Sequence, residues 1–516
     1  MEAPMPGATA MNLLILMDDQ HRHDALGCAA AGVAGSTRTW LMGQDASIVQ
    51  TPYLDQLAAS GVRFSQAVAN LPVCVPCRHS FITGMYPHQI GILSNQHYWP
   101  DQPPVPTLGQ HLGRSGYATA AIGKMHWKNR TAPDQHVPDK RGFDFRAGRG
   151  GKADGPVDVS LADQPQAGER AWQQAAAARF GVGGESREGY VGDVAPVPGA
   201  QLPEAWLADQ AVAYLQAHRQ QRGEQPFCLL VSLDRPHPPN VVPADYADRY
   251  DPQRVPLPPA TPPAFAEDDH MLRRSIQGRA WGQMDERELR LAVSRYLTNV
   301  TYVDHCLGRV LTALQQAGMA EHTVVVYFSD HGELLGERGR GFTKYSLYDS
   351  AVRVPLLVRW PGLSKAGSVS EAPVELVDLL PTWLDAAGVD VPPYLPGRSL
   401  RPLLQGEAPT AVGWRDATLS ELYTPVDAPG ASRAQWALRT ARYKLIERLS
   451  ARSALYDLQN DPNEFDNRID DPALASVHEG LRRQLLRGMM ERAEQYPALD
   501  TARVVIASPA TQQSTI

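Results

Sequence analysis

Cys74-Val75-Pro76-Cys77-Arg78 places a thiol two residues ahead of a proline and four ahead of an arginine. Pro76 suits the first turn of a helix, where its missing N–H would go unsatisfied anyway. The spacing predicts a helix over 77–83, stopped by Gly84. Cys74 then lies at the positive end of that helix, where an anion or a thiolate is favoured. Taken alone, the stretch fits a small buried cysteine at a loop–helix junction. It also fits a thioredoxin-like C-x-x-C redox pair or half of a zinc site, and a catalytic nucleophile.

Four further clusters of ionisable residues each follow a short apolar run. Leu13–Met17 leads into Asp18-Asp19-Gln20-His21. Tyr117–Ile122 leads into Gly123-Lys124-Met125-His126. Phe227–Leu233 leads into Asp234-Arg235-Pro236-His237, and Thr323–Phe328 into Ser329-Asp330-His331. Lys344-Tyr345 follows shortly after the last. Acids directly after a buried strand are costly unless solvated or paired with a cation. Asp19, Asp330 and His331 offer hard oxygen donors and one imidazole, a set that suits a divalent cation. Arg78, Lys124, His126, His237 and Lys344 offer positive charge and proton donors. Together they describe a site for a tetrahedral oxyanion whose charge must be stabilised during transfer.

The elements that must position these groups read as an α/β protein. The continuous apolar runs are strands buried on both faces, and Pro355–Val358 is another. They alternate with helices. Thr51 is an expected N-cap for a helix with Pro52 at N1, stopped at Gly61. Pro203–Arg219 is helical. Asp285 and Glu288 form a capping box for a long helix ended by Gly318, and Glu375–Gly388 is a further helix. Such alternation predicts a large, mostly parallel sheet sandwiched by helices, with ligands bound beyond the carboxyl ends of its strands. The expected division is a first domain over 1–391, carrying an insertion of loops and short helices at about 127–202, and a smaller antiparallel α+β domain over 392–516 with a flexible tail. Asp18 is expected to be a solvated neighbour of the site.

At 516 residues the chain is too long for one ordinary core. A net charge of −7 argues against general nucleic-acid binding. Five scattered cysteines are not a disulfide framework, and no second C-x-x-C completes a four-cysteine zinc site. The first ten residues hold no basic residue and the next apolar run is short, so no signal peptide is expected; nor is a transmembrane span. The expected location is the cytoplasm, with Met11 an alternative start.

The motifs resemble those of type I sulfatases, the formylglycine-dependent branch of the alkaline phosphatase superfamily. Cys74-Val-Pro-Cys-Arg78 followed by Ser80-Phe-Ile-Thr-Gly-Met-Tyr86 is similar to the family signature, and Gly123-Lys124-x-His126 to its second signature. Arg235-Pro-His237-Pro-Pro, Tyr302-Val-Asp304, Ser329-Asp-His-Gly-Glu333, Arg353-Val-Pro355, Leu455-Tyr-Asp-Leu458 and Asp461-Pro-Asn-Glu464 match as well. The resemblance implies an alkaline-phosphatase-like catalytic domain and hydrolysis of small-molecule sulfate esters, as in arylsulfatases. Cys74 would be oxidised to formylglycine (3-oxoalanine) by a formylglycine-generating enzyme, and its hydrate would attack sulfur. Arg78 would hold that hydrate. Asp19, Gln20, Asp330, His331 and modified Cys74 would bind one divalent ion, Ca2+ as the expected metal with Mg2+ or Mn2+ as alternatives. Lys124, His237 and Lys344 would bind the sulfate oxygens, with His237 protonating the leaving alcohol and His126 assisting expulsion of sulfate. Gln20 stands where the family carries an acid, and Cys77 where Ser or Ala is common. Three rival readings stay open. They are a phosphonate monoester or phosphodiester hydrolase with the same site, a Cys74/Cys77 thiol–disulfide protein, and an inactive relative. No nucleic-acid or membrane partner is expected, and a homo-oligomer stays open.

Overall fold

The computed structural model describes residues 10–32, 38–43, 47–99, 103–127, 140–148, 157–161, 179, 185–260, 284–423, 434–449, 451–494 and 505–506. Its centre is a nine-stranded sheet. Across that sheet the order is Ser368–Ser370, Val62–Phe64, Leu356–Arg359, Thr323–Ser329, Asn12–Asp19, Phe227–Pro236, Ala118–Gly123, Phe145–Gly148 and Val159–Ser160. The strand Asn12–Asp19 lies between Thr323–Ser329 and Phe227–Pro236, parallel to both, and Ala118–Gly123 continues the parallel set. Leu356–Arg359 runs antiparallel to its neighbours. The expected mostly parallel sheet is therefore present.

Alternate residues of these strands feed two cores. Leu13, Ile15 and Met17 face a cluster containing Cys77, Phe81, Phe328 and Trp383. Leu14 and Leu16 face Leu207, Leu229, Val303 and Tyr327. Burial on both faces explains why the strands read as unbroken apolar runs. The helix Glu286–Gln316 spans 31 residues and opens with the predicted reciprocal capping by Asp285 and Glu288. The helix Cys74–Thr83 begins earlier than predicted, at the thiol itself, and ends at Gly84, whose φ of 67° is left-handed.

Three local expectations need correction. The Thr51 side chain does not cap the helix Pro52–Ser60. It accepts from Gly27 N, while the carboxylate of Asp304 accepts from Tyr53 N and Leu54 N. The matched Tyr302-Val-Asp304 motif thus supplies a cap from a distant helix. Glu375–Gly388 is not one helix: a 3-10 turn over Leu376–Asp378 precedes an α-helix over Leu379–Ala386. Asp18 is not solvated. It is fully buried and accepts from His21 Nδ1 at 2.7 Å and Tyr327 OH at 2.8 Å, because the strand end it sits on is roofed by the loop that follows it.

A second sheet of four antiparallel strands, Ala417–Tyr423, Ala434–Thr440, Tyr443–Arg448 and Ala454–Asp457, is backed by the helix Ala475–Glu494. Most of the insertion at 127–202 and the tail beyond 506 lie outside the described residues. Among the described residues, no helix is long and apolar enough to cross a membrane.

The two sheets are joined through buried charge. Asp349 meets Arg439 at 2.9 Å and Lys444 at 2.9 Å. Glu464, from the matched Asp461-Pro-Asn-Glu464 turn, accepts from Asp349 N and pairs with Lys444 at 2.7 Å. Burial alone would raise the Asp349 carboxyl, but Arg439, Lys444 and Arg353 outweigh it and hold it well below the ordinary range. Because its folded pKa is depressed, its contribution is present above the unfolded value of about 3.9 and is lost as pH falls through the folded one. Asp349→Asn is expected to destabilise the chain by roughly 3–5 kcal/mol by leaving buried cations uncompensated. Urea unfolding at pH 7 checks this, and the gap between the two proteins should narrow below about pH 4.

Candidate active site

Four parallel strands deliver their carboxyl ends to one edge of the sheet, and the four ionisable clusters meet there. Register places Asp18 beside Ser329 and Asp19 beside Pro236. At Gly123 a Cβ would lie 1.9 Å from the Ser232 carbonyl oxygen, so only glycine lets the chain turn there and present Lys124. The helix Cys74–Thr83 enters the same edge amino-end first, and its N-terminus carries the thiol into the cluster. Val75 N donates to Asn95 Oδ1 at 3.0 Å, fixing that first turn.

Asp19, Cys74, Asp330 and His331 each offer a donor atom, and these atoms all lie within 4.8 Å of one another. All four residues are buried. Cys74 Sγ is 3.1 Å from His331 Nε2 and 3.7 Å from Asp19 Oδ1. His331 Nδ1 lies 3.1 Å from the Gly332 carbonyl oxygen, which only accepts, so Nδ1 carries a proton and Nε2 is the nitrogen that faces the cluster. Arg78 Nε donates to Asp330 Oδ2 at 2.8 Å and its Nη2 to Asp19 Oδ2 at 3.1 Å. The Oδ1 atoms of both acids point at His331 instead, at 3.7 and 3.5 Å. Two carboxylates, a thiol and an imidazole nitrogen converging without solvent fit a divalent cation, whose binding would displace the protons they hold.

The charges record that crowding. Burial raises Asp330, neighbouring Asp19 raises it further, and its carboxyl is pushed up to about 6 against His331 and Arg78. Asp19 resists burial and the nearby Cys74, and is held well below the carboxylate range by Lys124, His237 and Arg78. His331 is raised to about 9; burial opposes this, and Asp330 and Cys74 outweigh it. Burial would push the Cys74 thiol up, but Lys344, His331, Lys124 and a hydrogen bond with His126 bring it well below its ordinary value. Cys77, one turn on, faces the apolar core, and burial pushes its thiol well up. Both cysteines are free thiols.

The remaining expected residues line the same pocket. Lys124 Nζ is 2.7 Å from Asp19 and 3.6 Å from Asp234. Lys344 Nζ is 2.8 Å from His237 Nε2, and His237 Nδ1 faces the Pro238 carbonyl at 2.7 Å. His126 sits half-buried at a positive φ of 54°. Gln20 is adjacent, also at positive φ, but its side-chain nitrogen donates to Glu333 and its oxygen accepts from Lys344 Nζ at 3.4 Å. The amide thus faces Lys344 and Glu333. Arg78 Nη1 also donates to the Lys124 carbonyl and to Ser232 Oγ, so with Asp19 and Asp330 the guanidinium ties four strand ends together.

Two residues to which the sequence assigned no role belong to this constellation. Glu333 was quoted within a motif without a role, and it accepts from Gln20, Leu335 N and Thr343 N. Glu185 comes from the weakly patterned insertion and pairs with Lys344 at 2.7 Å. No periodicity or spacing pointed to it.

The sulfatase family profile matches residues 12–389, which include every residue of this cluster. The chain belongs to the sulfatase family, within the alkaline phosphatase superfamily. It is a member of a family of sulfuric ester hydrolases. A second profile, the C-terminal region of N-sulphoglucosamine sulphohydrolase, matches residues 336–491. The choline-sulfatase of Rhizobium meliloti (strain 1021) is 28% identical over 443 residues, covering 83% of this chain and 79% of that protein. The arylsulfatase of Clostridium perfringens (strain 13 / Type A) is 27% identical, covering 94% and 95%. Among solved structures, the phosphonate monoester hydrolase of Silicibacter pomeroyi superposes with a TM-score of 0.70 at 28% identity, covering 93% of this chain and 96% of that one.

The electrostatic account of Cys74 can be checked on protein carrying the unmodified thiol. Thiolate absorbance, taken as the difference from Cys74→Ser, should persist at neutral pH in metal-free protein. Lys344→Met should move its midpoint up by about 1–3 pH units; an unmoved midpoint would exclude Lys344 as a main source of the shift.

Proposed function

We propose that this sulfatase hydrolyses sulfate esters using residue 74 as formylglycine together with one divalent cation. The observation that carries this reading is the convergence of Cys74 with Asp19, Asp330 and His331 inside a ring of Arg78, Lys124, His126, His237 and Lys344. Oxidised by a formylglycine-generating enzyme and hydrated, residue 74 supplies one hydroxyl as nucleophile toward sulfur and a second that lets sulfate leave by C–O cleavage. A divalent cation, Ca2+ in our reading, supplies Lewis acidity and neutralises charge. Asp19, Asp330, His331 and residue 74 would hold it, with the Gln20 amide oxygen next to the set.

The chain's own residues do the rest. Lys124 and Lys344 take the sulfate oxygens and stabilise negative charge as the S–O bond breaks. In the ester complex His237 acts as the doubly protonated imidazolium, with Nδ1 donating to the Pro238 carbonyl and Nε2 giving its proton to the departing alcohol oxygen. Arg78 keeps the Oδ2 atoms of both acids occupied, so their Oδ1 atoms stay directed inward. His126, hydrogen-bonded to the side chain of residue 74, takes the proton released when sulfate is expelled.

A phosphonate monoester or phosphodiester hydrolase with the same site is the second reading. It is favoured by the solved neighbour named above. The thiol–disulfide reading loses support because Cys77 is fully buried in the apolar core.

Protein made together with a formylglycine-generating enzyme should show an aldehyde at residue 74 by peptide mass spectrometry. Cys74→Ala should abolish turnover of 4-nitrophenyl sulfate. An intact thiol in fully active protein would sink the mechanism. Phenyl phosphonate and phosphodiester analogues assayed in parallel choose between the two hydrolase readings. Asp330→Asn should weaken Ca2+ binding by at least about a hundredfold in a chelator competition, because it removes a charged ligand from a buried set. Unchanged affinity would place the cation elsewhere.

A further inference from the structure

Glu185 is the acid that the insertion brings into the pocket. Its carboxylate is 2.7 Å from Lys344 Nζ and 3.6 Å from His237 Nε2, and its side chain is about one-fifth exposed. It is thus more exposed than Asp19 and Asp330, which are fully buried. Its charge also reaches Tyr190 and Tyr345, whose hydroxyls are raised first by burial and further by nearby carboxylates that include Glu185. The acids below it, Asp19 and Asp330, are engaged by Arg78, and Asp19 also by Lys124. Glu185 shares Lys344 with His237 and with the Gln20 amide.

A bound ester changes that sharing. On the reading proposed above, its sulfate oxygens would draw on Lys344 and its alcohol oxygen would lie beside His237 Nε2. The carboxylate 3.6 Å from that nitrogen then faces whatever the alcohol carries next to the ester bond. The pocket wall there is half-buried, so solvent screens the charge only in part. A second anion on the alcohol meets a like charge, and a cation meets an opposite one.

We propose that Glu185 sets substrate specificity by charge: the enzyme accepts sulfate esters whose alcohol is neutral or cationic beside the ester oxygen and disfavours those carrying a carboxylate or second sulfate there. This rests on the sulfate-ester reading above. A like-charge contact about 5–6 Å away, partly screened, corresponds to about tenfold in kcat/KM for each unit of charge.

The test uses three aryl sulfates on formylglycine-bearing protein: phenyl sulfate with a meta trimethylammonium, acetamido or carboxylate group. Intrinsic leaving-group differences cancel when each ratio is compared between wild type and Glu185→Gln. The cation-to-anion ratio of kcat/KM should fall by at least about tenfold in Glu185→Gln, with the carboxylate ester gaining in absolute terms, and Glu185→Ala should behave alike. A ratio unchanged within about twofold overturns the inference. So does loss of all three activities in both variants, which would put Glu185 in the reacting machinery instead. If wild-type protein carrying the aldehyde turns over none of the three esters, the sulfate-ester reading itself fails and takes this inference with it.

Discussion

Two carboxylates and a thiol cannot be buried within one ion's reach of each other unless positive charge is built around them. That constraint organises this molecule. Asp19, Asp330 and Cys74 are almost wholly removed from water. Arg78 answers part of their charge with a fork that reaches both acids, and Lys124 and Lys344 answer more. What remains is a set of inward donor atoms with the hardness and spacing of a divalent-cation site. The depressed thiol, the raised Asp330 and the raised His331 are three readings of the same electrostatic strain.

Holding that arrangement takes rigid elements rather than loops. Parallel strands ending at one edge give each side chain a fixed origin, and the helix Cys74–Thr83 points its positive end at the same spot. Arg78 ties the helix to four strand ends through Asp19, Asp330, Ser232 and the Lys124 carbonyl. The four-stranded sheet adds a buried ion network around Glu464 and Asp349, and Asp349 lies five residues beyond Lys344 along the chain. Several matched motifs without catalytic groups find their use in such joints. Asp304 caps a distant helix, and Arg338 donates to the carbonyls of Asn463 and Glu464.

The sequence made much of this legible. Uninterrupted apolar runs identified strands buried on both faces, and the capping box Asp285/Glu288 marked the long helix. The recurrence of ionisable residues just past four strands foretold a shared site. Those signals are local, set by side-chain period, capping geometry and the cost of burying charge, and they survive without knowledge of partners. Local reasoning failed where a partner came from far away. Thr51 has the right type for an N-cap, yet Asp304 fills that place from 250 residues on. Asp18 looked solvated beside Asp19, yet His21 and Tyr327 satisfy it in the interior.

Residue types and their order determined which groups were available for chemistry and which elements would carry them. Only the tertiary structure decided their division of labour. It turned the Oδ1 atoms of both acids inward, faced the Gln20 amide toward Lys344 and Glu333, sent Cys77 into the core while Cys74 met the acids, and brought Glu185 to Lys344. The reason is physical. Strand period and helix capping are fixed within a few residues, whereas the direction of a side chain and the charge around it depend on groups hundreds of positions away.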